Sequence, residues 1–230
     1  MNYPLYIVLG VLPSIIWLLY YLRKDTHPEP KLQVIRIFFW GMMAALPAIF
    51  IEKGIFEEVK KFALSPSLAS ILNTFLGVAL VEETLKYLVV RSKILNDPEF
   101  NESIDAMLYM IIAALGFAAS ENILVLLQIG SSLFFTQALF VLVLRFWGAT
   151  FLHALCSAIV GFFLALSFLQ YKTEKFRFIG LGLLISVCLH GLFNFFIIKG
   201  GAGVFVPISI LILLTLFVTL GLKKLKRLTI

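Results

Sequence analysis

The chain has 230 residues, of which 61% are hydrophobic and 14% charged, with 23 phenylalanines, a mean hydropathy of +1.01 and a formal net charge of +6. A soluble domain of this size cannot bury so much apolar surface, so a water-soluble globule is excluded and an integral membrane protein is implied. No basic stripe is interleaved with stacking aromatics in a polar segment; membrane lipids, and no nucleic acid, are therefore the expected partners of the positive charge.

Apolar runs long enough to cross about 30 Å of hydrocarbon follow one another along the chain. The first, Tyr3 to Leu22, has no basic n-region and no small-x-small cleavage site, and Arg23-Lys24 follows it, so it reads as an uncleaved anchor. His27, Pro28, Glu29 and Pro30 form a turn without evident chemistry. The second run is Val34 to Ile51. In the connection Glu52 to Pro66, Ile55, Phe56, Val59, Phe62 and Ala63 share one helical face and Glu57, Glu58, Lys60 and Lys61 the other, which predicts a helix on the membrane surface. The third run, Leu68 to Val90, leads to a loop from Arg91 to Ser103 with turn signals at Asn96, Asp97, Pro98 and Asn101. A fourth covers Ile104 to Leu127. Leu133 to Leu144 is apolar but only a dozen residues long, which predicts an interfacial or re-entrant piece. Phe146 to Leu169, Phe178 to Ile198 and Val204 to Leu222 complete the set, and Pro47 and Pro207 are expected kinks. The expected architecture is all-α: a polytopic transmembrane helix bundle of about seven spanning helices, one domain over 1–230.

Charge bias orients it. With the N-terminus outside and the C-terminus cytoplasmic, the inner loops and tail hold thirteen basic residues, among them Arg23, Lys24, Lys172, Lys175, Arg177 and Lys223 to Arg227. The outer side holds four, Lys53, Lys60, Lys61 and Lys199. This obeys the positive-inside rule; an eighth span at 133–144 would break it. A multi-pass protein of the cell membrane follows.

Against this background, polar residues at membrane depth stand out, because each acid there costs roughly 3 kcal/mol on insertion scales. Glu82, Glu83 and Lys86 lie in the third run, Glu121 and Asn122 near the end of the fourth, Arg145 and His153 in or before the fifth, and His190 and Asn194 in the sixth. Residues four apart share a helical face, pairing Glu82 with Lys86, Phe117 with Glu121, His153 with Ser157 and His190 with Asn194. At about 1.5 Å per residue, Glu121, His153 and His190 sit roughly 9 to 12 Å below the outer boundary and Glu82 roughly 15 to 21 Å, so four helices bring these groups near one level. Leu152-His153-Ala154-Leu155 resembles Leu189-His190-Gly191-Leu192. The two lie on successive, antiparallel helices, which argues against a duplicated unit but lets both histidines serve one site.

Such a cluster supports water activation. A buried glutamate can act as general base, glutamate and histidine from separate helices can hold Zn²⁺, and histidine or asparagine donors can stabilise an oxyanion. Three acids against Lys86 and Arg145 leave a formal charge of −1, which permits a metal without requiring one. Cys156 and Cys188 are read as small packing residues. Buried carboxylates and histidines also make proton relays, so a proton- or cation-coupled transporter is the competing reading.

The succession Glu82-Glu83-x-x-Lys86, Phe117-x-x-x-Glu121-Asn122, His153 and His190-x-x-x-Asn194, each in its own helix, resembles the PrsW family of intramembrane proteases, within the clan of CAAX-processing and bacteriocin-processing membrane proteases. The resemblance covers about residues 30 to 200, with the catalytic core at 68–198. It implies an intramembrane endopeptidase that cuts a membrane-anchored protein, as in the first, extracytoplasmic cleavage of an anti-sigma factor. It further implies Glu82 as catalytic base supported by Glu83, Glu121 and His153 as metal ligands or water-orienting groups, and His190 and Asn194 as ligand or oxyanion donors. Lys86 is their counter-charge, with Phe117, Asn122 and Arg145 in support. A zinc mechanism and a metal-free glutamate mechanism both fit. The CAAX-processing branch has histidine where Glu121 stands, which argues against prenylated substrates.

Overall fold

A computed structural model describes residues 3–25, 27–95, 97, 100–129 and 135–228. Among them no strand forms and seven helices are long and apolar enough to cross a membrane. The elements are α1 (Tyr3–Leu22), α2 (Lys31–Lys61), α3 (Pro66–Leu72), α4 (Val81–Lys93), α5 (Ser103–Ile129), α6 (Phe135–Arg145), α7 (Phe151–Phe168), α8 (Lys172–Lys199) and α9 (Phe205–Leu225). Two spans are composite. A π-helical stretch, Asn73–Leu80, joins α3 to α4, and another, Phe146–Thr150, joins α6 to α7.

Helix α5 is the axis of the bundle, buried at every position from Ser103 to Ala119 between α1, α2 and α7. Lipid tails give apolar helices no hydrophobic reason to associate, so small residues that let backbones approach carry the packing. A Cβ on Gly41 of α2 would lie 2.1 Å from the Ala113 carbonyl oxygen, one on Gly116 of α5 would lie 2.0 Å from that of Phe38, and one on Gly161 of α7 would lie 2.5 Å from Met107 Cα.

Three segments differ from the sequence expectation. The stretch from Glu52 is no separate surface helix: α2 runs unbroken to Lys61. Ion pairs Glu57–Lys60 (2.6 Å) and Glu58–Lys61 (2.5 Å) line its polar side. On the apolar side Phe56 seats on the bare backbone of Gly77. Residues 135–144 of the short apolar segment, together with Arg145, form α6, which continues through the π turn into α7 as an extension of the fifth span and makes no extra crossing. Its Ala138 and Leu142 pack with Tyr6 of α1 and Leu126 of α5; 133 and 134 lie outside the described residues. Pro207 falls in the first turn of α9, where its missing N–H removes no helical bond, so it makes no kink. Of the expected turn residues, Asn96 and Pro98 lie outside the description.

The described residues of the loops at 23–30, 94–102 and 169–171 share one end, here called the basic end. His27 Nδ1 lies 2.6 Å from Glu102, Asp105 accepts from the backbone of Asn101 and Glu102, and Tyr109 donates its hydroxyl to Glu29. Burial, with the Asp105 carboxylate adding to it, raises the Glu29 pKa from 4.5 to about 8 in spite of the Tyr109 bond. The folded chain thus holds a proton that the unfolded chain releases near 4.5, so Glu29 favours folding most at low pH and loses this contribution as pH rises towards 8. Wild-type protein is expected to melt at lower temperature near pH 9 than near pH 6, with a smaller difference in Glu29→Gln. Equal differences in thermal scans of the two proteins would rule this account out.

Candidate active site

Each π-helical stretch ends just ahead of a motif. Asn73–Leu80 gives way to α4 one residue before Glu82, and Phe146–Thr150 gives way to α7 two residues before His153. Such stretches are rare and gather at functional sites.

Lys86 organises what they present. Its ammonium, fully buried, donates to Glu82 Oε2 at 3.1 Å, Glu83 Oε1 at 2.7 Å and His153 Nδ1 at 2.8 Å, using all three protons. It also lies 4.6 Å from the centroid of the Phe117 ring. An ammonium can only donate, so His153 Nδ1 accepts and the ring proton belongs on Nε2. That nitrogen faces Glu121 Oε2 at 2.7 Å. Behind Glu121, Arg145 gives one guanidinium nitrogen to the same carboxylate at 3.2 Å and its Nε to Asn122 Oδ1 at 2.5 Å; Asn122 in turn donates to Thr150 Oγ1 at 3.0 Å.

The adjacent glutamates differ sharply. Glu83 Oε1 accepts from Lys86 and from His190 Nδ1 at 3.0 Å, and its Oε2 accepts from Ser157 at 2.9 Å and, at 3.2 Å, shares the single Ser186 hydroxyl proton with the Cys156 carbonyl at 3.0 Å. A carboxylate has about four acceptor positions; donors occupy three of those of Glu83 and share the fourth. Among the described residues Glu82 accepts one hydrogen bond, from Lys86, and its Oε2 lies 3.5 Å from His153 Nδ1 and 3.9 Å from His190 Nε2. A carboxylate accepts the proton of His190 Nδ1, which leaves Nε2 of that ring with its lone pair turned towards Glu82. The spacing exceeds a direct hydrogen bond and suits a shared water.

Of the residues expected from sequence, Glu82, Glu83, Lys86, His153 and His190 therefore meet, with Phe117 packed on Lys86 and His153. Glu121, Asn122 and Arg145 attach through the far side of His153. Asn194 stays one turn from His190, half-buried and without a hydrogen bond among the described residues. Cys156 contributes its carbonyl to Ser186, and Cys188 is exposed.

Sequence reasoning overlooked Ser186 and Thr150, and assigned no role to Ser157. A signal was present. Ser157 follows His153 by four residues and Ser186 precedes His190 by four, so on antiparallel helices the two serines share a level one turn from the two histidines.

One donor atom each from Glu82, Glu83, His153 and His190 lie within 4.8 Å of one another, all buried. Buried carboxylate and imidazole donors suit a divalent cation, and zinc in particular. Both oxygens of Glu83 are already engaged, so Glu82 and His190 Nε2 are the free donors that would hold the ion, and His153 Nδ1 would join them only by giving up its bond to Lys86. Glu83 stands behind His190 as the outer carboxylate that fixes a ligand's tautomer. A cavity of about 320 Å³, lined by Ala45, Ala48, Glu52, Phe117, Glu121 and Arg145 among others, opens beside the His153–Glu121 contact.

Fold and site together define a multi-pass membrane protein with a buried carboxylate–imidazole centre. Residues 29–221 match the profile described as PrsW family intramembrane metalloprotease. Curated relatives named Protease PrsW include that of Oceanobacillus iheyensis, 32% identical over 95% of this chain and 93% of that protein, and that of Bacillus subtilis, 28% identical over the same shares. The Geobacillus kaustophilus protein is 30% identical over 82% of this chain and 78% of its own length. No solved structure matches. The chain belongs to the PrsW family and is an intramembrane protease.

Proposed function

We propose that this protease hydrolyses a peptide bond of a membrane-anchored protein, of the anti-sigma-factor type, in the outer half of the bilayer. Glu82 takes the proton of the attacking water. The observation that carries this reading is the division of labour between the two glutamates: both oxygens of Glu83 are engaged by donors, whereas Glu82 has free acceptor capacity facing both imidazoles.

In this scheme the substrate segment enters beside Glu121 through the cavity between α2 and α5. His190 Nε2 orients the water together with Glu82, and Glu83 keeps that ring in the required tautomer. Glu121 holds His153 by its Nε2 proton. Asn194, one turn from His190, donates to the oxyanion once the peptide is seated. Glu82 and His190 Nε2, joined by His153 Nδ1 if that atom leaves Lys86, would hold a divalent cation, which would supply a water of lowered pKa.

Cleavage of a co-expressed, doubly tagged single-pass anti-sigma-type protein tests the activity: a shortened, membrane-retained fragment is expected, and an intact substrate in its presence contradicts the reading. Chelation of the purified enzyme should abolish cleavage and added zinc restore it; cleavage indifferent to chelation would leave Glu82 as sole activator. Topology follows the thirteen-to-four basic bias, N-terminus outside and C-terminus cytoplasmic. A reporter enzyme active only outside the membrane, fused to the C-terminus, should be silent.

A further inference from the structure

Away from the catalytic cluster, a cavity of about 480 Å³ lies between α1 and α9, walled by Trp17, Trp147 and Phe151. Lys24, Lys223 and Lys226 reach it from the basic end. Among the described residues none of these lysines has a carboxylate partner; Lys24 instead lies 4.5 Å from the ring centroid of Tyr20. The groove is thus built in two parts, an aromatic wall at membrane depth and three uncompensated cations at its rim.

We propose that this groove binds an anionic phospholipid, with the headgroup phosphate on Lys24, Lys223 and Lys226 and an acyl chain along the aromatic wall. A soluble anion would satisfy the rim and leave the wall empty, and a zwitterionic lipid would bring no net charge to three lysines. A lipid with a net negative headgroup satisfies both, as basic pockets between membrane helices do. The position gives the lipid a structural role. The Trp17 ring stacks on Phe151 at 4.1 Å and on Phe146 at 5.2 Å, and its Nε1–H donates to the Phe146 carbonyl at 3.0 Å. Those contacts brace the π turn Phe146–Thr150, and His153 stands three residues beyond its end. An acyl chain laid against Trp17 closes the open side of that brace.

The test uses the full chain, purified in detergent, with added phosphatidylglycerol or phosphatidylcholine of the same acyl chains. Phosphatidylglycerol should raise the melting temperature of wild type by about 3–6 °C and phosphatidylcholine far less. The variant Lys24→Gln/Lys223→Gln/Lys226→Gln should lose most of that shift. A control, Lys175→Gln/Lys224→Gln/Arg227→Gln, removes as much charge from the same end outside the groove and should keep it. An undiminished shift in the groove variant, an equal loss in the control, or equal effects of both lipids on wild type would each overturn the proposal. A second readout needs no change to the lysines. In Trp40→Phe the two remaining tryptophans both line the groove, and brominated phosphatidylglycerol should quench them more strongly than brominated phosphatidylcholine at equal mole fraction. Equal quenching would refute the site.

Discussion

Glu82→Gln is expected to fold and reach the membrane but to cleave at least about 100-fold more slowly than wild type, the lower end of what a positioned general base contributes. The glutamine carbonyl can still accept from Lys86, the one hydrogen bond that the Glu82 side chain makes among the described residues, so the packing around it survives. What disappears is the ability to take a proton. The comparison that gives the result its meaning is Glu83→Gln. Oriented with its oxygen towards Lys86 and His190 and its amide towards Ser157 and Ser186, that glutamine keeps every contact of the original, because serine hydroxyls can also accept. It should lose far less activity than Glu82→Gln. Rates measured on one reporter substrate, at matched protein levels, decide the matter. Wild-type cleavage by Glu82→Gln, or equal losses in the two variants, would remove Glu82 from the role of base.

The second large effect is on stability. Glu83→Ala takes the acceptor from four donors at once, one of them a fully buried ammonium. Breaking a buried charge pair by deleting one partner costs about 3–5 kcal/mol, and the orphaned Ser157 hydroxyl and imidazole N–H add to it, while Ser186 keeps the Cys156 carbonyl. The alanine protein should therefore melt many degrees below wild type or fail to accumulate as a monodisperse species, while Glu83→Gln stays close to wild type. Fluorescence-detected size exclusion followed by thermal scanning separates the two. An alanine variant as stable as wild type would mean that the glutamate's contacts do not hold the helices together.

The spans and the meeting of the third, fifth and sixth around one centre were legible because charge at membrane depth is costly and a helix converts residue number into depth at a fixed rise. Lys86 was legible as a counter-charge by its i,i+4 spacing from Glu82, though the same ammonium also reaches His153 on another helix, which spacing along one helix cannot show. The distinction between Glu82 and Glu83 was not available from local sequence. It is made by Ser157, Ser186 and His190, contributed by α7 and α8, and serine in a membrane helix attracts no notice because it satisfies itself against its own backbone as readily as against a partner. The run from Glu52 to Lys61 was misread for a related reason: an amphipathic face looks the same whether it lies on lipid or, through Phe56 on Gly77, against a neighbouring helix. Arg145 has the length to reach the interface but turns to Glu121 and Asn122, a choice that depends on acids from another helix.

The π-helical stretch Asn73–Leu80 has one more consequence. An i+5 pattern carries more residues per turn than the α-helix, so side chains before and after it are no longer in azimuthal step. Within it the span offers Phe75 to the backbone of Gly191 and Gly77 receives Phe56; beyond it Glu82, Glu83 and Lys86 point to the bundle interior. A single helical wheel drawn through 66–93 would mix these two directions. The number of residues between Asn73 and Leu80 therefore sets the compass bearing of Glu82, and chain length there is constrained more tightly than side-chain identity.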